Sequence, residues 1–204
     1  MNNASTIRPT GALAARKIPA PKAPLGWRIS NALKWAFIKG WLAVHIGVPL
    51  ANALGLAVAY GKLEAVLITA DGKRVNYGVL GYRVVTTAFV NFLVDQFQTD
   101  STEVGDFKYH DSGVGTTAEN AADTAIETTD GESRATGTQT ESAANAYRSV
   151  GTISYTTTKA ITEHGLFSQS TSGTLMDRTV FSAINVVNGD SIQFTYTLTL
   201  SSGG

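Results

Sequence analysis

The chain has no cysteine, only two methionines and three histidines, and few charged residues. The missing thiols exclude disulfides, thiolate nucleophiles and cysteine-ligated zinc sites. Charged residues make up 16% of the 204 residues and balance to a formal net charge of zero. Such a balance does not predict the phosphate-driven binding of nucleic acid. These scarcities favour a protein that acts through its surfaces over one that acts through reactive side chains.

Residues 1–61 differ in composition from the rest of the chain and predict an extended N-terminal arm for subunit contacts. Four prolines punctuate the basic first part of the arm, a spacing typical of polyproline-like extended chain. The part from residue 27 onward is apolar and rich in aromatic residues. Buried aromatic side chains dominate the energies of protein interfaces. We therefore predict four partner-binding anchors in the arm: Trp27, Trp35, Phe37 and Trp41.

The run from Gly40 to Tyr60 contains no Asp, Glu, Lys or Arg and is long enough to span a bilayer. Pro49, Asn52 and several glycines interrupt it, and proline breaks or kinks a helix. We favour two short apolar pieces that pack against protein, and we predict no membrane partner. The pattern leaves open whether these pieces are helical or extended, because short apolar runs fit both.

Residues 62–204 predict a mainly β domain, an antiparallel β-sandwich or jelly-roll-like fold with one short amphipathic helix. Asp71-Gly72 predicts a type I′ turn between the two strands of a hairpin over residues 62–82. Residues 84–98 carry apolar side chains at helical spacing, and Thr86 or Thr87 is a candidate cap.

The remaining strands are predicted from alternation and turn signals. Residues 104–110 and 134–140 predict strands, and the β pattern becomes clear from Ala146 onward. The clearest alternation places five apolar residues two apart: Ile192, Phe194, Tyr196, Leu198 and Leu200. A turn at 188–190 precedes it. Several short strands separated by turns are typical of a sandwich.

No motif assembles a reactive or ligand-binding centre, so we predict no catalytic residue, no cofactor and no metal. The glycine-rich residues 113–117 lack the lysine of a phosphate-binding loop. His110, Asp111 and Ser112 are triad residue types, but neighbours in a strand point to opposite faces. The same objection applies to Glu163 and His164 as a metal-binding pair, and a structural histidine is the simpler interpretation.

The stretches GVGTTAENAADTA, ITEHGLF, LMDRTVFSAINV and NGDSIQFTYTLT resemble a group of tailed-bacteriophage virion proteins, over about residues 84–204. The resemblance implies a non-enzymatic head decoration or cement protein on the capsid surface of the virion. Its implied partners are the major capsid protein and further copies of itself, with trimers typical of such proteins. It implies no catalytic residue, and the neutral charge leads us to predict no nucleic-acid partner.

Three alternatives remain. ITEHGLF also resembles β-domains of phage fibre and collar proteins, so a tail, collar or head-fibre protein for host attachment is the first. Sugar contacts in such a protein would use four tyrosines: Tyr109, Tyr147, Tyr155 and Tyr196. A membrane-anchored protein that uses residues 40–61 is the second. An enzyme is the third, and the lack of an assembled site disfavours it.

Overall fold

A computed structural model describes residues 38–83, 85–96 and 106–202. Residues 38–53 form a helical segment, α1, which contains a π-helical stretch at Ala43–Gly47 and an α-helical end at Val48–Ala53. A second helix, α2, spans Thr87–Gln96. The strands are β1 (Val58–Ile68), β2 (Arg74–Arg83), β3 (Tyr109–Gly113), β4 (Ala135–Thr136), β5 (Thr138–Ala143), β6 (Ala146–Ser154), β7 (Lys159–Phe167), β8 (Leu175–Val186) and β9 (Ser191–Ser201).

The strands form two antiparallel sheets that pack into a sandwich. One sheet has five strands in the order β2-β1-β9-β6-β5, and the other has four in the order β4-β3-β7-β8. Apolar side chains from both sheets share one buried cluster, which includes Leu63, Ile161, Phe181 and Phe194. The prediction of a mainly β, antiparallel sandwich with a short amphipathic helix is confirmed.

β9 shows why alternation was informative. Its inward side chains Ile192, Phe194, Tyr196 and Leu198 are buried, while the residues between them are half-buried. β9 lies in the middle of its sheet between β1 and β6, so one face meets the core along most of the strand. Leu200 continues the same row of alternate residues but is exposed (51%) near the end of the strand.

The hairpin of β1 and β2 is present, but its turn differs from the prediction. Thr69 and Lys73 close the turn through a backbone hydrogen bond of 2.9 Å, and the amide of Gly72 donates to Thr69 at 2.7 Å. Gly72 has a positive φ of 81°, whereas Asp71 does not, and a type I′ turn needs positive φ at both central residues. The connection is therefore a longer turn that ends in a left-handed glycine, and the type I′ prediction was wrong.

Two further predictions need correction. The strand predicted at 134–140 is two strands, because the chain passes from the four-stranded to the five-stranded sheet at Gly137, between β4 and β5. The strand predicted at 104–110 overlaps only the start of β3, which runs from Tyr109 to Gly113. A change of sheet leaves little trace in hydrophobic alternation, because both short strands lie at sheet edges.

The predicted boundary between arm and sandwich at residue 61 falls inside β1, which begins at Val58. Of the predicted arm, residues 1–37 lie outside the described part of the chain. The remainder contains α1, which continues through Pro49 and does not break there as predicted. Pro49 lies in the first turn of Val48–Ala53, where its missing N–H is tolerated, directly after the π-helical stretch.

α2 packs through the apolar stripe that the sequence predicted. Phe89 is buried, and the rings of Phe89 and Phe92 each meet the ring of Phe107 edge to face at 5.1 Å. Val90 and Val94 on the opposite side are exposed. The predicted cap is Thr86, whose hydroxyl accepts a 3.2 Å hydrogen bond from the amide of Phe89 and donates to the carbonyl of Leu175 in β8. The cap therefore also ties α2 to the sandwich.

Replacing Thr86 with alanine should destabilise the folded chain by about 1–2 kcal/mol, since it removes a helix cap and leaves a buried carbonyl without its donor. Thr86→Ser keeps the hydroxyl and should recover most of the loss. Urea unfolding followed by circular dichroism measures both. Equal stability of Thr86→Ala and wild type would contradict the assignment of the cap.

The four-stranded sheet is covered on its outer face by residues 114–134, which we call the strap. Seven consecutive residues of β8, Leu175–Phe181, are buried, which requires cover on both faces of that strand. Arg178 in β8 donates to the carbonyl of Thr117, and the amide of Val180 donates to the carboxylate of Glu119. The strap thus lies against β8 and removes its outward side chains from solvent.

Candidate functional site

α1 presents a row of exposed apolar side chains. Five leucine and isoleucine residues lie four apart along it and its C-terminal cap, and all are exposed: Ile38, Leu42, Ile46, Leu50 and Leu54. Their exposed fractions rise from about two fifths at Ile38 (42%) to two thirds at Leu54 (68%). We call these five residues the α1 stripe. Isolated exposed apolar residues are ordinary on protein surfaces, whereas contiguous apolar patches are typical of interaction sites, which makes the α1 stripe a candidate.

The π-helical stretch helps to keep the α1 stripe on one side of the helix. In an α-helix a step of four residues exceeds one turn, so the side chains rotate about 40° around the axis at each step. A π-helical turn bonds residues five apart and therefore holds more residues than an α-helical turn. Ala43–Gly47 lies in the middle of the row and reduces this rotation. π-helical turns are rare and occur frequently at functional sites.

The other side of α1 is attached to the sandwich. At Gly40 a Cβ would lie 2.5 Å from the carbonyl oxygen of Tyr82 in β2, so only glycine allows this approach. The ring of His45 meets the ring of Tyr82 edge to face at 5.5 Å. At the far end the side-chain amide of Asn52 donates a 2.7 Å hydrogen bond to the hydroxyl of Ser201 in β9. These contacts hold the helix in place and leave the α1 stripe outward.

Only one of the four predicted aromatic anchors lies in the described residues. Trp41 is 42% exposed and stacks on the ring of His45 at a centroid distance of 4.5 Å. Trp27, Trp35 and Phe37 lie outside the described residues. The sequence interpretation gave priority to aromatic residues and missed the aliphatic α1 stripe, although its four-residue spacing is visible in the sequence.

The triad residue types each bond to a separate partner. His110 bonds to His164 and Ser149, Asp111 bonds to Arg134, and Ser112 bonds to Asp130 and Tyr155. None of these bonds joins two of the three neighbours. Burial raises the pKa of Asp111, against the opposing effect of its hydrogen bond from Arg134. These side chains serve as links between strands and loops.

Glu163 and His164 also point to opposite faces of β7. His164 faces the interior, whereas Glu163 faces the strap and is fully buried. The Glu163 carboxylate accepts from the amides of Gly115, Glu127 and Thr128 and from the guanidinium of Arg178, all within 2.9 Å. Among the described residues no group of three or more His, Asp or Glu side chains is placed to hold a metal ion.

Arg178 connects this carboxylate to the strap. Its side chain is 4% exposed and also pairs with Asp123 at 2.9 Å and with Glu127 at 3.4 Å. Burial opposes the charge of Arg178, but hydrogen bonds and attraction from Asp123 and Glu163 outweigh it, so the pKa of the guanidinium is raised. Glu163 and Arg178 therefore form a charged clamp that holds the strap on the sheet.

The four tyrosines suggested for sugar binding have different surroundings. Tyr155 and Tyr196 are buried in the core, so neither can meet a sugar at the surface, and that part of the prediction was wrong. Tyr109 and Tyr147 are half-buried, and the hydroxyl of Tyr147 donates to the carbonyl of Phe107. A notch of about 340 Å³ beside Tyr147 is lined mainly by alanine and leucine side chains.

The comparisons with known proteins leave the function to be argued from the residues. No protein-family model, no curated protein and no solved structure matches the chain. In the ranges that the structure describes, no helix is both long and apolar enough to cross a membrane.

Proposed function

We propose that this chain is a non-enzymatic capsid cement or decoration protein of a tailed bacteriophage. In this proposal it binds the outside of the head and stabilises the shell by bridging major capsid subunits. The observation that carries the proposal is the α1 stripe, a row of exposed aliphatic side chains on a helix that is anchored to a well-packed sandwich. The resemblance of residues 84–204 to phage virion proteins supplies the kind of partner.

The sandwich suits the role of a rigid support. Several of its buried charged groups are paired internally, in the clamp of Glu163 and Arg178 and in the bond between Asp111 and Arg134. These contacts fix the strap and the strands, so binding at α1 would not have to order the rest of the domain. Preorganisation of this kind lowers the entropy cost of association.

The charge of the chain also favours a crowded assembly. The formal net charge is zero, and the segment from Gly40 to Tyr60 carries no Asp, Glu, Lys or Arg. Many copies could therefore lie side by side on a shell without mutual repulsion. Trp41, together with Trp27, Trp35 and Phe37 in the rest of the arm, would add aromatic anchors between capsid subunits.

The physical action of a cement protein is thermodynamic linkage. A protein that binds the assembled shell but not its free subunits shifts the equilibrium toward the shell. Bridging two subunits by one bound chain gives this preference directly, because the complete binding site exists only where the subunits meet.

Binding to purified heads tests the proposal. Heads from a phage that encodes this chain, produced without its gene, would be mixed with the purified full chain and sedimented. The proposal expects saturable binding at many equivalent sites and a higher temperature of head disruption. Absence of saturable binding to these heads would reject it.

The alternative is a tail, collar or head-fibre protein that contributes to host attachment. The observation that favours it is the notch beside Tyr147, which is large enough for a small ligand. Its lining of alanine and leucine offers few hydrogen-bonding groups for a sugar. Binding of the chain to tails or host cells, and not to heads, would support this alternative.

A further inference from the structure

Two histidines lie between the sheets of the sandwich. His110 in β3 and His164 in β7 are both fully buried, and Nδ1 of His110 lies 3.0 Å from Nε2 of His164. Nε2 of His110 lies 2.8 Å from the hydroxyl of Ser149 in β6, which belongs to the opposite sheet. The pair therefore forms part of a hydrogen-bonded link from one sheet to the other.

The rings are closely packed. At Gly151 in β6 a Cβ would lie 2.4 Å from Cδ2 of His110, so the strand passes against the ring and only glycine fits. The ring of His164 lies 4.5 Å from the ring of Phe194. Neither histidine is hydrogen-bonded to a carboxylate, and Nδ1 of His164 has no hydrogen-bond partner among the described residues.

The unpartnered nitrogen indicates which tautomers are present. If Nε2–H of His164 donates to His110, and Nε2–H of His110 donates to Ser149, the unpartnered Nδ1 is a bare acceptor. The reverse direction would bury an N–H without an acceptor, which is the more costly arrangement. A proton added to His164 would create that same unsatisfied N–H, and one added to His110 would face the N–H of His164. Both rings are therefore neutral in the folded chain.

We propose that the His110–His164 pair is an acid-sensitive latch between the two sheets, which favours the closed sandwich near neutral pH and its opening below about pH 6. In the open state both rings meet water and can take up protons. This inference concerns the fold itself and does not depend on the capsid proposal.

The burial of both histidines supports the expected direction, a loss of stability as the pH falls. It lowers the pKa of His110 to about 3 and lowers the pKa of His164 well below its ordinary value, with the nearby His110 adding to the second shift. A histidine in the unfolded chain has a pKa of about 6.5. The stability contributed by the neutral pair is thus complete above about pH 6.5 and is lost as the pH falls from there toward about 3.

Other titratable groups lie around the pair. Tyr147, Tyr196 and Asp177 occupy the strands β6, β9 and β8 around the pair, and the pKa of Tyr196 is raised well above its ordinary value by burial, so it stays neutral in acid. Asp111 and Glu163, next to the histidines in sequence, are paired with Arg134 and Arg178. The raised pKa of Asp111 acts in the opposite direction, because it favours the folded state in acid.

The test is guanidinium unfolding of the full chain at several pH values between 7.5 and 4.5. Because two buried histidines take up protons on unfolding, the unfolding constant should rise about 100-fold for each unit by which the pH falls in the steep part of this range. His164→Gln should reduce the rise to about tenfold, and His110→Gln with His164→Gln should nearly abolish it. His45→Gln is the matched control, because His45 is exposed on α1 and should leave the rise unchanged.

The test compares how steeply the unfolding constant of each variant changes with pH, so a general loss of stability in a variant does not obscure the result. NMR titration of the histidine rings in the folded wild-type chain is an independent measurement, should the double variant fail to fold. Two rings that do not titrate between pH 7.5 and 5 would support the latch. Titration of the His110 and His164 rings near pH 6.5, or an unfolding constant that is flat over this range, would overturn it.

Discussion

Arg178→Ala should be among the most damaging single substitutions in the sandwich, with an expected cost of about 3–5 kcal/mol in the free energy of unfolding. The reason is the carboxylate that would remain. Glu163 is fully buried, and Arg178 is the cation that pairs with it, at 2.8 Å. The amides of Gly115, Glu127 and Thr128 would still donate to Glu163, but they bring no full charge.

The strap would be affected as well, because Arg178 also holds Asp123 and the carbonyl of Thr117. Guanidinium unfolding at pH 7.5, followed by circular dichroism, measures the loss. Arg148→Ala is the matched control, since Arg148 lies in β6 of the five-stranded sheet and its guanidinium donates to the hydroxyl of exposed Thr140. The control should change stability by less than about 0.5 kcal/mol. A loss below about 1 kcal/mol for Arg178→Ala would contradict the role of the clamp.

The second large effect is expected on binding. Ile46→Gln combined with Leu50→Gln should weaken binding to heads by about 2–4 kcal/mol, or about 30- to 1,000-fold in affinity. Both side chains are more than half exposed in the free chain, at 57% and 61%, so the apolar burial they provide comes mainly from the partner. Glutamine is a good helix former, so α1 itself should persist.

Two measurements separate binding from folding in this variant. Sedimentation with heads gives the affinity, and thermal unfolding of the free chain should stay close to wild type. Val187→Gln serves as the control, because Val187 is similarly exposed (51%) but lies in the turn between β8 and β9. If Val187→Gln weakened binding as much as the double variant, or if the double variant bound normally, α1 would not be the docking surface.

The parts of the fold that were predictable are those governed by local rules. The alternation in β9 works because one face of a central strand meets the core, and Thr86 was recognisable as a cap ahead of an apolar helical stripe. The hairpin was visible from its two apolar runs. The type of its turn was not predictable, because the type I′ turn and the observed longer turn differ only in the backbone angle φ of Asp71 and in one added residue.

The polar groups inside the sandwich were not predictable from the sequence. His110 and His164 are 54 positions apart, and they meet because β3 and β7 are neighbours in the sheet. Glu163 meets Arg178 through the pairing of β7 with β8, and the strap covers both. Strand order and register decide these contacts, and neither is encoded in local alternation. A polar, turn-rich stretch such as the strap was interpreted as a loop, without its covering role.

The α1 stripe lies within the segment for which the sequence predicted partner anchors, but its side chains are aliphatic and not aromatic. The apolar segment that follows residue 27 was identified as a partner surface, with aromatic anchors. In the described part of the chain the exposed row consists of leucine and isoleucine, with Trp41 beside it. Aromatic residues were favoured because they dominate interface energies on average. The direction in which each face of α1 points depends on two contacts with the sandwich, His45 with Tyr82 and Asn52 with Ser201. In both contacts the two residues are at least 37 positions apart in the sequence.

Cryo-EM of intact particles, with copy counting by quantitative mass spectrometry, tests the capsid proposal most directly. The proposal predicts hundreds of copies on the icosahedral lattice of the head, with α1 and the rest of residues 1–61 laid over neighbouring capsid subunits. A few copies at a single vertex, the collar or the tail tip would contradict it and would support the attachment alternative.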